Sequence, residues 1–156
     1  MKRKLKVIWL DDNPKRDGSK KNMEEAIGVE VKFVNLKGAD LRNELIKLVK
    51  SRKPGLIIID HVLDKIGPSD ESLIKSGSTV AEIIREKWLN CPIVGVTADP
   101  NVGGVDLQKK LLYEALYPFE ELPKHYDSIF SIAKSFQTLI KRNPKSLSDL
   151  LTAFSN

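Results

Sequence analysis

The chain has 156 residues, 41% of them apolar and 30% charged, with a formal net charge of +5. That composition describes one globular domain of ordinary size and excludes a disordered or multidomain chain. The single cysteine, Cys91, rules out an internal disulfide and a cysteine-based metal site, and apolar runs of four or five residues are far too short to span a membrane. The basic excess is spread along the chain. Its densest stretch, MKRKLK at residues 1–6, leads straight into an apolar strand and reads as a solvated flank, so charge alone does not point to nucleic acid. No signal peptide opens the sequence, and a cytoplasmic protein is expected.

In chain order, residues 5–10 (LKVIWL) form the first predicted strand, ending in Asp11-Asp12. A weak helix follows over residues 19–27, with Met23, Ala26 and Ile27 as its apolar face. Residues 29–34 alternate with period two and predict a second strand. Residues 39–50 predict a clearer helix, since Leu41, Leu45, Ile46, Leu48 and Val49 fall on one stripe. Residues 56–59 (LIII) are a fully apolar strand ending in Asp60. Residues 67–77 read as a polar loop, long enough to be a lid or a peripheral insertion. A helix over residues 79–89 has Ser78 or Thr79 as its cap and is stopped by Asn90-Cys91-Pro92. Residues 92–96 (PIVGV) are a strand ending in Thr97. Residues 107–116 read as a helix, residues 116–119 as an edge strand interrupted by Pro118, and residues 126–140 as a last long helix. A short amphipathic tail over residues 147–154 follows Asn143-Pro144. Strands apolar on both faces and alternating with helices predict a doubly wound α/β sandwich around a five-stranded parallel sheet. Residues 1–142 make the domain, and residues 143–156 a helical extension.

Ligands of an open parallel sheet gather beyond the carboxyl ends of its strands. That rule selects Asp11-Asp12, Asp60 and Thr97, each directly after a strand. Taken singly, each has an ordinary structural role: an acidic pair before Asn-Pro as a turn with a helix cap, an aspartate closing a strand, a threonine on one. Together they are a rarer set. Three carboxylates converging on one edge repel unless a cation joins them, and a hard divalent ion with oxygen ligands is the natural one.

With those residues in hand, the sequence resembles the receiver domains of two-component response regulators. The resemblance runs from residue 4 to about residue 141. It rests on KVIWLDDN (6–13), PGLIIID (54–60) and PIVGVTA (92–98), with Gly77 where the family opens its third helix. It implies a flavodoxin-like, CheY-like fold and phosphorylation of Asp60 by a histidine kinase or histidine phosphotransfer protein. It further implies Mg²⁺ held by Asp11 or Asp12, Asp60 and the backbone carbonyl of Val62, with Thr97 and the Ala98 amide holding a phosphoryl oxygen. Asp60 would then be the nucleophile on phosphorus in a self-phosphorylating, self-dephosphorylating switch rather than an enzyme turning over an external substrate. The switch is expected to repack the face near the fourth helix and fifth strand.

Several positions depart from the family. Receivers carry a lysine at the end of the fifth strand, and the usual interval from Thr97 lands near Phe119 and Glu120. Lys124 is the nearest candidate, and serves only if the fifth strand or its preceding loop is long. Otherwise it is a solvated residue at a helix start. His61 follows Asp60 and reads as a loop residue facing solvent, although an imidazole there could touch an acyl phosphate. The aromatic switch residue is Tyr117 or Phe119, with Tyr117 preferred, and His125 reads as structural. In the long loop, Asp70-Glu71 could shield the site or meet a partner. In the tail, the stripe of Leu147, Leu150, Leu151 and Phe154 must be covered by this domain, by a second copy in a homodimer, or by an output region beyond it. The alternative reading is a degenerate pseudo-receiver, a phosphorylation-independent interaction module. A haloacid-dehalogenase-type phosphohydrolase is disfavoured, because Val62 stands where its general-acid aspartate is needed.

Overall fold

Strands with apolar residues on both faces need cover on both sides, and the chain supplies it in alternating order. The structure, a computed structural model, describes residues 4–35, 41–63, 76–87, 91–101 and 105–142. Five parallel strands, β1 (Lys6–Asp11), β2 (Glu30–Asn35), β3 (Leu56–Asp60), β4 (Ile93–Thr97) and β5 (Ala115–Pro118), lie in the spatial order β2-β1-β3-β4-β5. They alternate with α1 (Asp17–Ile27), α2 (Leu41–Arg52), α3 (Gly77–Lys87), α4 (Leu107–Lys110) and α5 (Tyr126–Arg142). This is the doubly wound, five-stranded α/β architecture expected.

The strand period divides the core in two. Ile8, Leu10, Ile57, Ile59 and Ile93 pack with Leu45 and Val49 of α2 and Val80, Ala81 and Ile84 of α3. Val7, Trp9, Leu56, Ile58, Val94 and Val96 point the other way, onto Met23 of α1 and Ile129 and Ala133 of α5. Every residue of β3 and β4 is buried. Register then aligns the strand ends. Leu10 pairs with Ile59, Asp60 with Val96, and Thr97 with Pro118, so the residues closing β1, β3, β4 and β5 share one edge.

Two expectations are corrected here. The helix read over residues 107–116 is only the single turn of α4. Leu107 and Leu111 remain 70% and 75% exposed, so a longer helix would have had no core to bury them. The chain turns instead at Tyr113, which is buried, and the Glu114 amide donates to the Ile93 carbonyl (2.8 Å), bringing the chain onto β4. The fifth strand accordingly begins one residue early, at Ala115. A 3-10 turn, Pro14–Arg16, also joins β1 to α1, where the sequence reading had placed no element. The extension over residues 143–156, its predicted tail helix and the Asp70-Glu71 pair lie outside the described residues. Among the described residues, no helix is long and apolar enough to cross a membrane.

Candidate functional site

Asp11 closes β1 and Asp60 closes β3, on adjacent strands in register, while Asp12 is the next residue along from Asp11. All three are buried, with relative exposures of 0%, 5% and 3%, and one ligating oxygen from each lies within 4.8 Å of the others. Local geometry holds them in place. Asp11 Oδ1 accepts from the Asn13 amide at 2.8 Å, an Asx turn that redirects the chain into the 3-10 turn. Asp60 Oδ1 accepts from the Val62 amide at 3.3 Å.

That 3-10 turn brings in a residue the sequence reading did not single out. Arg16 Nη1 lies 2.5 Å from Asp60 Oδ2 and 3.2 Å from Asp11 Oδ2, so one guanidinium nitrogen bridges both strand ends. Its side chain is 13% exposed, and its Cζ sits 4.4 Å from the centroid of the Phe119 ring. Four basic residues, Lys15, Arg16, Lys20 and Lys21, crowd the start of the first helical region, and no spacing rule separates Arg16 from the rest. A turn of the right pitch after Pro14 is what selects it.

Burial and the charge of Asp11 push the Asp60 carboxyl up to about 6, against the pull of Arg16 and the Val62 amide. Burial likewise raises Asp11, opposed by the Asn13 amide and by Arg16. The three carboxylates form an all-oxygen donor set, two of whose members Arg16 bridges. Such a set fits a hard divalent cation, and the cluster could hold one.

Thr97 closes β4, 1% exposed, and its Oγ1 accepts from the Asp99 amide at 3.2 Å. Ala98 is exposed beside it. Gly77 opens α3 against the same edge. Its amide donates to the His61 carbonyl at 2.9 Å, and a Cβ there would overlap the Asp60 carbonyl oxygen, so only glycine lets the helix come this close.

No family model and no curated protein matches the chain. Solved structures do. A Thermotoga maritima response regulator, TrrA, crystallised in complex with Mg²⁺-BeF, aligns at 23% identity and TM-score 0.59, over 80% of this chain and 98% of that one. A CheY-like receiver domain from Methanospirillum hungatei aligns at 16% identity and TM-score 0.59, over 89% and 98%. The response regulator RcsB of Salmonella typhimurium, described for its interaction with DNA, aligns at 19% identity and TM-score 0.61, over 96% of this chain and 67% of that one. The chain has the receiver fold.

On that fold, the remaining candidates fall in different places. Pro118 ends β5 opposite Thr97, and Phe119, near which the family interval from Thr97 would place a lysine, follows it. Lys124 lies five residues further on, in a 3-10 helix, Phe119–His125, that leads into α5. Its side chain is 73% exposed and pairs with Glu121 at 3.9 Å. The long fifth strand that would have carried it to the site is absent. Tyr117 packs on the α1–α5 side of the sheet, stacked 4.2 Å from His125, whereas strand alternation puts the Thr97 side chain on the opposite face. His61 is not turned to solvent. It is half-buried, its Nδ1 lies 3.1 Å from the Tyr113 hydroxyl, and burial, helped by Lys109, lowers its pKa. Val62 is 39% exposed and forms an isolated antiparallel bridge with Ser76, which leads into α3.

Proposed function

We propose that this chain is a two-component receiver. In this reading Asp60 takes a phosphoryl group from a histidine kinase or histidine phosphotransfer protein in a Mg²⁺-dependent step, and a partner-binding face or output region responds. The observation that carries the reading is the cluster of Asp11, Asp12 and Asp60, buried together at the carboxyl edge of a receiver fold. With its pKa near 6, Asp60 is mostly ionised at pH 7 and available as a nucleophile. One of its oxygens bonds to phosphorus while the bond from phosphorus to the donor's leaving group breaks. With acetyl phosphate, that step gives an acyl phosphate and acetate, and no oxidant or extra proton is needed. A divalent cation held by Asp11, Asp12, Asp60 and the Val62 carbonyl supplies neutralising charge to the phosphoryl oxygens when bound. The Thr97 hydroxyl, its oxygen already accepting from Asp99, can donate its proton to one of those oxygens, and the exposed Ala98 amide can donate to the same one.

Intact-protein mass spectrometry after incubation with acetyl phosphate tests this. One labile phosphate is expected on the wild type with Mg²⁺, with none on Asp60→Asn or in EDTA. A phosphate of the same lability on Asp60→Asn would overturn the assignment. The rival, a phosphorylation-independent interaction module, draws its support from Phe119 at the lysine's position. It predicts no label on a folded wild type.

A further inference from the structure

Among the described residues no lysine pairs with Asp60, yet a cation does. We infer that Arg16, from the 3-10 turn after β1, is the residue that pairs with the phosphoryl group on Asp60, and that Phe119 is the apolar shelf that positions it. This inference rests on the receiver reading above and adds a residue to it.

Three observations converge on Arg16. Its Nη1 is already 2.5 Å from Asp60 Oδ2, so the charge stands at the carboxylate that would react. The guanidinium carries five donors in one plane, and only one nitrogen is used on the two carboxylates, which leaves others for the oxygens a phosphoryl group would bring. Phosphorylation replaces one negative charge on Asp60 with about two, so the guanidinium is attracted more strongly after transfer than before.

Phe119 accounts for the exchange. A lysine at the end of β5 would approach Asp60 from the β4–β5 side. Here that position holds a ring whose face lies against the Arg16 guanidinium. The ring is itself anchored, edge-on to Trp9 at 6.3 Å, and Trp9 is fully buried and also packs against Phe33 at 6.3 Å. The guanidinium therefore lies on a ring that is itself packed on the buried Trp9. Lys124, 73% exposed and paired with Glu121, has no such support.

The test compares phosphorylation rates from acetyl phosphate with Mg²⁺ for wild type, Arg16→Gln, Arg16→Lys and Lys124→Ala, each checked for folding by circular dichroism. Loss of one positioned electrostatic donor costs on the order of 10²-fold in rate, which is expected for Arg16→Gln. Arg16→Lys keeps the charge, and so the fold, but loses the planar fork, and about tenfold slower labelling is expected. Should Arg16→Gln fail to fold, the lysine variant decides. Wild-type rates in the folded Arg16 variants would overturn the inference while leaving Asp60 as the acceptor. Faster labelling of Arg16→Gln would overturn it too, by showing that the guanidinium only blocks the carboxylate. So would a large loss in Lys124→Ala beside an unaffected Arg16→Lys. An unlabelled, folded wild type would overturn the receiver reading itself, and this inference with it.

Discussion

On the β1–β3 side of the sheet edge, Asp11, Asp12 and Asp60 are buried; Asp11 and Asp60 close adjacent strands, each accepts from a neighbouring backbone amide, and Arg16 bridges the two. On the β4–β5 side, Thr97 is buried, but its neighbouring strand is only half-buried, the helix before that strand is a single turn, and Phe119 stands at the strand's end. The first side has the acidic pattern of a receiver. The second keeps the threonine and changes the rest. The contrast teaches that acidic residues placed by strand ends are fixed by the sheet, because β1 and β3 are central and packed on both faces. The cation has no such constraint. It can come from any turn that reaches the same space, and here the β1–α1 turn supplies it.

The acidic side should be the hardest to perturb. Gly77→Ala is expected to cost about 3 kcal/mol, because its Cβ would overlap backbone atoms of Asp60 and His61 rather than a side chain that could move. In thermal unfolding that is a fall of roughly 6–12 °C for a domain of this size. A variant melting with the wild type would mean that α3 does not need its close approach to β3.

Asp60→Asn sharpens the contrast by pH. The Asp60 carboxyl has a folded pKa of about 6, above its ordinary 3.8, so the native state binds its proton more tightly than the unfolded state does. Native stability is thus favoured below about pH 4 and declines as pH rises through about 6. In EDTA, Asp60→Asn should be more stable than wild type by on the order of 3 kcal/mol at pH 8, with the gain vanishing towards pH 4. Urea titrations at the two pH values measure it. A gain independent of pH would contradict the burial argument.

The β4–β5 side is less buried. Glu114 accepts from the buried Ile93 amide through one oxygen and pairs with Arg85 at 2.5 Å through the other. Glu114→Ala should cost about 1–2 kcal/mol by leaving that amide without its partner, read as a lower urea midpoint with an unchanged slope. The smallest effect belongs to Leu111→Ala. At 75% exposure it should stay within about 0.5 kcal/mol of wild type. A loss as large as that of a buried leucine would mean that α4 is covered in solution.

Much of the core could be read in advance, because LKVIWL and LIII admit little but buried parallel strands, and Leu45 and Val49 fell on the buried stripe of α2 as their spacing required. The end of the fourth helix lies beyond what the pattern shows. Leu107 and Leu111 have helical spacing, but spacing cannot report whether a core exists to receive them. Lys124 is the nearest lysine along the chain but is 73% exposed, whereas Arg16, one of several similar neighbours in sequence, meets Asp60.

The sequence by itself determined the parallel sheet and the carboxyl edge where Asp11, Asp12, Asp60 and Thr97 stand. Each of these follows from local pattern and strand period, which act over a few residues. Only the tertiary structure decided which cation meets Asp60, on which face Tyr117 lies, and that His61 turns to Tyr113. Those are contacts between residues far apart in the chain. Their energies depend on distance and burial, which exist only once the strands have been brought side by side.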